Sequence, residues 1–239
     1  MVQGMKRRDI LLGTLAAGAS LALPARAFAQ DLESGFDAAF AARMGKAPVP
    51  SPAPVPAPQP VFAADSPAYT RRVLEIAARE VQRAGQAVWR RDIVGLADFA
   101  RPSAQPRFHF ANLENGTVRS FHVAHGRGSD PEHDGWLKNF SNVPGSEATS
   151  RGAYLTCEWY NGKYGTSIRL EGLDTDNSNA LGRAIVMHPA SYAASSHLAR
   201  WGRLGRSEGC FAMGPEQFNE ALWHLSGGRL LYADRIGEV

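Results

Sequence analysis

With 239 residues, 44% of them hydrophobic, the chain is long enough for one ordinary domain with a real core. Its pI near 9.0 comes from the start of the chain. Residues 1–29 hold Lys6, Arg7, Arg8 and Arg26 against Asp9, and setting them aside leaves 22 basic and 22 acidic residues. That formally neutral remainder excludes a charge argument for nucleic-acid binding, and no nucleic-acid partner is expected.

The chain opens with twin arginines, Arg7-Arg8, ahead of an apolar stretch from Ile10 to Leu23 and the small-residue site Ala27-Phe28-Ala29. This pattern predicts a signal peptide over 1–29 of the twin-arginine kind, a mature start near Gln30 and a periplasmic location. An uncleaved anchor helix is the alternative, but the stretch is short and interrupted by Gly13 and Gly18. No other stretch is apolar enough to span a membrane, so no stable span is expected after cleavage. Residues 30–62 read as a linker rich in Pro and Ala. Every second residue from Pro48 to Pro60 is proline, which forbids helix and central strand and gives an extended spacer of about 40 Å.

The domain proper is expected over 63–239. Ser66-Pro67 supplies an N-cap and a proline at N1, and Val73, Ile76, Ala77, Glu80 and Val81 follow at helical spacing, predicting a helix over 67–84. A strand follows, ended by Arg101-Pro102. Asn115-Gly116 between the alternating runs 107–113 and 118–124 predicts a hairpin. Residues 125–151 form a long polar loop of the kind that usually carries function. Strands are expected at 152–160, 166–171 and 183–188. Pro215 opens a helix with Phe218, Ala221, Leu222 and Leu225 on one face, Gly227-Gly228 ends it, and 229–233 is a closing strand. The fold class is therefore mainly β, with flanking helices: one N-terminal helix and one after a cysteine-bearing loop.

That loop is Gly205-Arg206-Ser207-Glu208-Gly209-Cys210, and an apolar run ending in His188 lies 22 residues upstream of the cysteine. In acyl transfer a thiol needs a base and donors for a developing oxyanion. Histidine suits the first role, and glycine lets backbone N–H groups approach a substrate closely. Cys157 is the other cysteine, and in an exported protein a disulfide is the default reading. Against it, Cys157 lies in the strand-like run Tyr154-Leu155-Thr156-Cys157-Glu158-Trp159-Tyr160, whereas Cys210 lies in a loop suited to exposing a thiol. His122, His125 and His133 do not make a convincing zinc site. Strand positions three apart face opposite sides, and no acidic partner stands at a familiar ligand spacing. His109 and His122 read as strand-surface residues, and His197 and His224 as solvated ones.

The ordered motifs Val123-Ala124-His125-Gly126-Arg127-Gly128-Ser129, Phe140-Ser141-Asn142-Val143-Pro144-Gly145-Ser146, Gly152-Ala153-Tyr154-Leu155-Thr156, Arg169-Leu170-Glu171-Gly172-Leu173-Asp174, Ala184-Ile185-Val186-Met187-His188 and the cysteine loop carry a resemblance. Over about Asp98 to Ala233 the chain resembles the murein L,D-transpeptidase catalytic-domain family, a branch of the YkuD-like L,D-transpeptidases. The resemblance implies a β-sandwich or open barrel and a cysteine L,D-transpeptidase that cross-links peptidoglycan stem peptides, donor and acceptor, through a thioester. It implies Cys210 as nucleophile, His188 as base, Ser207 and Gly209 as support for the oxyanion loop, and Arg206, His125, Ser146 and Tyr154 as substrate-binding residues. Arg127 and Lys163 are further candidates for stem carboxylates. No metal or organic cofactor is implied. Glu208 stands where the family usually has histidine or an aromatic residue, and Ala212 where many members have Arg or Asn. Two alternatives remain: an L,D-carboxypeptidase or amidase-like hydrolase with the same dyad, and a non-catalytic wall-binding module.

Overall fold

The computed structural model describes residues 66–237. The predicted signal peptide and linker lie outside the described residues. Helix α1 (Pro67–Ala84) forms over the predicted span: Ser66 Oγ accepts the Tyr69 N–H at 3.1 Å, and Pro67 takes the first turn. Its predicted stripe is buried, including Glu80, whose carboxylate pairs with Arg79 and Arg83.

Eight strands follow: β1 (Ile93–Asp98), β2 (Phe108–Asn112), β3 (Thr117–Phe121), β4 (Gly152–Gly162), β5 (Gly165–Gly172), β6 (Val186–Pro189), β7 (Phe211–Met213) and β8 (Leu230–Asp234). Two more helices, α2 (Ser195–Trp201) and α3 (Pro215–Leu225), flank β7. The strands make one sheet in the order β3-β2-β1-β8-β4-β5-β6-β7. The sheet curls on itself. The chain leaving β3 reaches β7 at the opposite edge, where Ala124 N–H donates to Ala212 O at 2.8 Å. The result is the mainly β, open-barrel form of the expected fold.

Both faces of the sheet are covered. Tyr69, Val73 and Ile76 of α1 pack on Val94, Leu96, Ala111 and Leu230. On the other face Phe218, Ala221 and Leu225 of α3 join Phe99, Phe108, Tyr154, Leu170, Met187 and Phe211. Each such large side chain, fully buried, stabilises the fold by about 1.5–3 kcal/mol.

This two-sided cover corrects the reading of His109 and His122 as surface residues; both are buried. On β2, His109 alternates with Phe108 and Phe110 and so faces α1, where its ring nitrogens meet the Tyr69 hydroxyl at 2.9 Å and Ser120 Oγ at 2.8 Å. His122 Nε2 donates to Ala104 O at 3.2 Å. His197 and His224 are half-buried rather than fully solvated, with His224 3.3 Å from Glu220. The strand expected from residue 183 starts at Val186, because residues 179–184 turn first: Arg183 N–H donates to Asn179 O and Ala184 N–H to Leu181 O. Among the described residues no helix is long and apolar enough to cross a membrane.

Candidate active site

Parallel pairing of β6 with β7 sets Met187 opposite Phe211 and His188 opposite Ala212. One residue earlier, that register brings Cys210 beside Val186. Side chains alternate along a strand, so Val186, His188, Cys210 and Ala212 share one face. Ala184, Val186 and Cys210 do pack as one cluster, edged by Tyr160 and Tyr164. His188 and Cys210 are then diagonal neighbours with Cα atoms about 8 Å apart. Cys210 Sγ lies 3.5 Å from Ala184 O. Cys157 and Cys210 are both thiols, not a disulfide. Burial, then Glu158 and Glu171, pushes the Cys157 thiol up to about 11, which makes it a poor nucleophile at neutral pH.

His188 is 1% exposed. Its Nδ1–H donates to Pro189 O at 3.0 Å, and a carbonyl can only accept, so the ring's lone pair is on Nε2. Nε2 is shut off from solvent and has no hydrogen-bond partner among the described residues. Tyr164 lies against the ring at 5.3 Å between centroids and Tyr192 meets it edge-on at 6.5 Å. Burial pushes the imidazole down to about 4. It is therefore neutral at pH 7, with its one proton on Nδ1 and a lone pair on Nε2 able to take another.

The cysteine loop is tied to itself by Ser207, whose hydroxyl donates to Cys210 O at 2.6 Å and accepts the Gly209 N–H at 3.2 Å. These two bonds fix the turn from Ser207 to Cys210 and engage the Gly209 N–H. Gly209 has φ +111°, and a Cβ there would come within 2.8 Å of Ala148 O and of Ile185 Cδ1. Behind it lies a residue that the sequence did not single out. Arg183 is 1% exposed, and its guanidinium donates to Ser141 O at 2.7 Å, to Ser146 Oγ at 3.2 Å, and to Ala148 O and Ser150 Oγ. Ser146 is therefore part of the floor that holds the loop.

The other expected substrate binders stand further back. Tyr154 is fully buried and its hydroxyl donates to Ser150 O at 2.8 Å. His125 is buried between Arg107, which donates to its Nδ1 at 2.7 Å, and Asp130, which accepts from Nε2 at 3.2 Å. Burial, then Arg107, pushes His125 down to about 2. Its link to the cysteine loop is through the backbone: Ser207 N–H donates to His125 O at 2.9 Å. Arg206 is clamped to the carbonyls of Asp130 and Pro131. Arg127 pairs with Glu147 and lies 3.3 Å from Glu208. Lys163 is exposed at the tip of the β4–β5 hairpin, over the Tyr164 ring. Among the described residues no group of three or more His, Cys, Asp or Glu side chains is placed to hold a metal ion.

Tyr164, Tyr192 and Arg183 were not anticipated as parts of the site. The only sequence signal for Tyr192 is its place four residues after His188. Nothing local reveals Arg183.

Comparison with known proteins supplies the family. Similar solved structures include an L,D-transpeptidase from Mycobacterium smegmatis (13% identity, TM-score 0.37, 60% of this chain and 58% of that one) and one from Mycobacterium tuberculosis (16%, 0.35, 60% and 57%). A third is the helical cell shape determining protein of Campylobacter jejuni (13%, 0.41, 73% and 58%). The chain thus spans a little under six tenths of the length of these structures. No curated protein matches it. The pattern of the L,D-transpeptidase catalytic domain matches residues 66–233, which is most of the chain, and the chain belongs to that family.

Proposed function

We propose that the protein is a cysteine L,D-transpeptidase that joins peptidoglycan stem peptides. The observation that carries this reading is the pairing of β6 with β7, which sets the Cys210 thiol and a neutral His188 on one face of the sheet. Family membership supports the substrate class.

In the proposed reaction the thiol turns from Ala184 O and gives its proton to His188 Nε2. Sγ attacks the stem's amide carbon and the carbonyl π pair moves onto oxygen. Collapse breaks the C–N bond, the leaving amine takes the proton from Nε2, and a thioester remains. An amine of a second stem then attacks the thioester, returns its proton through His188 and frees the thiol. Water in place of that amine gives hydrolysis. The proposed organisation is a twin-arginine signal peptide over 1–29, a spacer over 30–62 and the catalytic domain over 63–239, acting in the periplasm.

Mass spectrometry of muropeptides after incubating residues 30–239 with purified sacculi tests the reading. Cross-linked dimers that vanish with Cys210→Ser are the expected result. Shortened stems without dimers would identify the hydrolase. Retention on sacculi with no product would identify a wall-binding module.

A further inference from the structure

One backbone donor of the cysteine loop is already engaged, and the structure holds a buried hydroxyl without a partner among the described residues. The Gly209 N–H is committed to Ser207 Oγ. Tyr192 sits in a single 3₁₀ turn (Ser191–Ala193) just after β6. Its hydroxyl is shut off from solvent and has no hydrogen-bond partner among the described residues. Leaving a buried hydroxyl unpaired is unfavourable, and a native fold keeps one only where something compensates.

The ring is held firmly. Gly205 N–H donates to Tyr192 O at 2.7 Å, and Gly205 lies so close that a Cβ there would come within 2.6 Å of Tyr192 Cβ and 3.0 Å of its Cγ. The first glycine of the cysteine loop thus seats the ring, while His188 packs on its other side. Burial, and then the neighbouring Cys210, Tyr164 and Glu208, hold the phenol well above its ordinary range. It stays protonated and so keeps an O–H to donate, and Cys210 is the first of the groups that perturb it. His188 Nε2 and Tyr192 Oη are then an acceptor and a donor, both buried and without a hydrogen-bond partner among the described residues, carried by two rings that pack together.

We propose that the Tyr192 hydroxyl is an oxyanion donor of the acyl-transfer site. When Sγ bonds to the carbonyl carbon and the π pair moves to oxygen, Oη–H donates to that oxygen; when the C–N bond breaks, the carbonyl re-forms and the hydrogen bond weakens. The proton stays on Tyr192 throughout. This rests on the reading of Cys210 as the acylated nucleophile, but not on the identity of the acyl donor.

The experiment compares Tyr192→Phe with wild type in the mature protein, using two probes of Cys210 followed by intact-mass spectrometry. p-Nitrophenyl acetate acylates through an oxyanion and needs no stem recognition; iodoacetamide alkylates by direct displacement and forms none. Loss of one oxyanion donor should slow acylation by roughly 10²-fold, with iodoacetamide alkylation unchanged. Because the free protein loses only an unpaired hydroxyl, its melting temperature should not fall. Equal slowing of both probes would assign Tyr192 to the thiol's own state or position, and a melting temperature that falls with both rates would make it structural. Unchanged acylation would leave it without a role. Each of these overturns the proposal. A wild type that takes acetyl but not a soluble stem peptide would refute the substrate assignment alone, and the ratio between the two probes would still decide the role of Tyr192.

Discussion

Burial of a neutral histidine beside the thiol makes stability depend on acid in a calculable way. His188 is held at about 4 against an ordinary 6.5. Its folded-state value is the lower one, so between those limits the unfolded chain binds more protons than the folded one. The stability tied to neutral His188 is present in full above pH 6.5 and is lost as pH falls towards 4. Moving from pH 7.5 to 4.5 should remove on the order of 2–3 kcal/mol through this residue alone. His125, held still lower by burial and Arg107, adds its own loss, so the His188 share must be isolated. His188→Asn does so, since its amide N–H can still donate to Pro189 O but does not titrate. Urea denaturation followed by tryptophan fluorescence at both pH values gives the loss for each protein. The wild type should lose on the order of 2–3 kcal/mol more than the variant. Equal losses would refute the picture of a desolvated, neutral imidazole at this position. The same picture places the acid limb of Cys210 acylation in wild type near pH 4 rather than 6.5.

Three further outcomes follow from the site's geometry and the chain's start. Gly209→Ala imposes a left-handed backbone on alanine and drives its Cβ against Ala148 O, so it should cost at least about 1–3 kcal/mol of stability and abolish acylation of Cys210; calorimetry and intact-mass analysis check the two effects. Arg183→Met leaves the Ala148 carbonyl and Ser150 Oγ without the guanidinium that donates to them and should destabilise the domain by on the order of 3 kcal/mol, measured by urea denaturation, with a fall in the rate of stem-peptide acylation. Replacing both Arg7 and Arg8 by lysine should block export, and accumulation of an unprocessed precursor in fractionated cells is the readout; unchanged export would rule out the twin-arginine route.

Elements with local signals were legible in the sequence. Ser66-Pro67 marked the start of α1, Asn115-Gly116 marked the β2–β3 hairpin, and Pro215 opened α3. Cys210 and His188 stood out because a thiol in a Gly/Ser loop and a histidine ending an apolar run have a joint chemical meaning. What was not legible depends on contacts far apart in the chain. Strand β7 is three residues long, too short for any period to show, and exists because β6 and Ala124 bind its two sides. Arg107 and Arg183 are cations, which composition places at the surface. They are buried because backbone carbonyls from several segments converge on them: Val123 and Arg101 on the first, Ser141 and Ala148 on the second. His109 misled for a related reason: alternation shows which residues share a face but not whether a helix covers it.

Parallel neighbours such as β6 and β7 cannot be joined by a tight turn, so the chain leaves the sheet after His188 and returns before Cys210 by way of α2. The spacing of His188 and Cys210 is therefore set by interstrand hydrogen bonds, and the length of the excursion has no say in it. Doubling such a connection adds only about 0.6 kcal/mol of closure entropy. A single residue inserted between Cys210 and Phe211 would instead turn Cys210 to the opposite side of the sheet. Changes in the length of the segment 195–203 therefore leave the relative placement of His188 and Cys210 to the two strands.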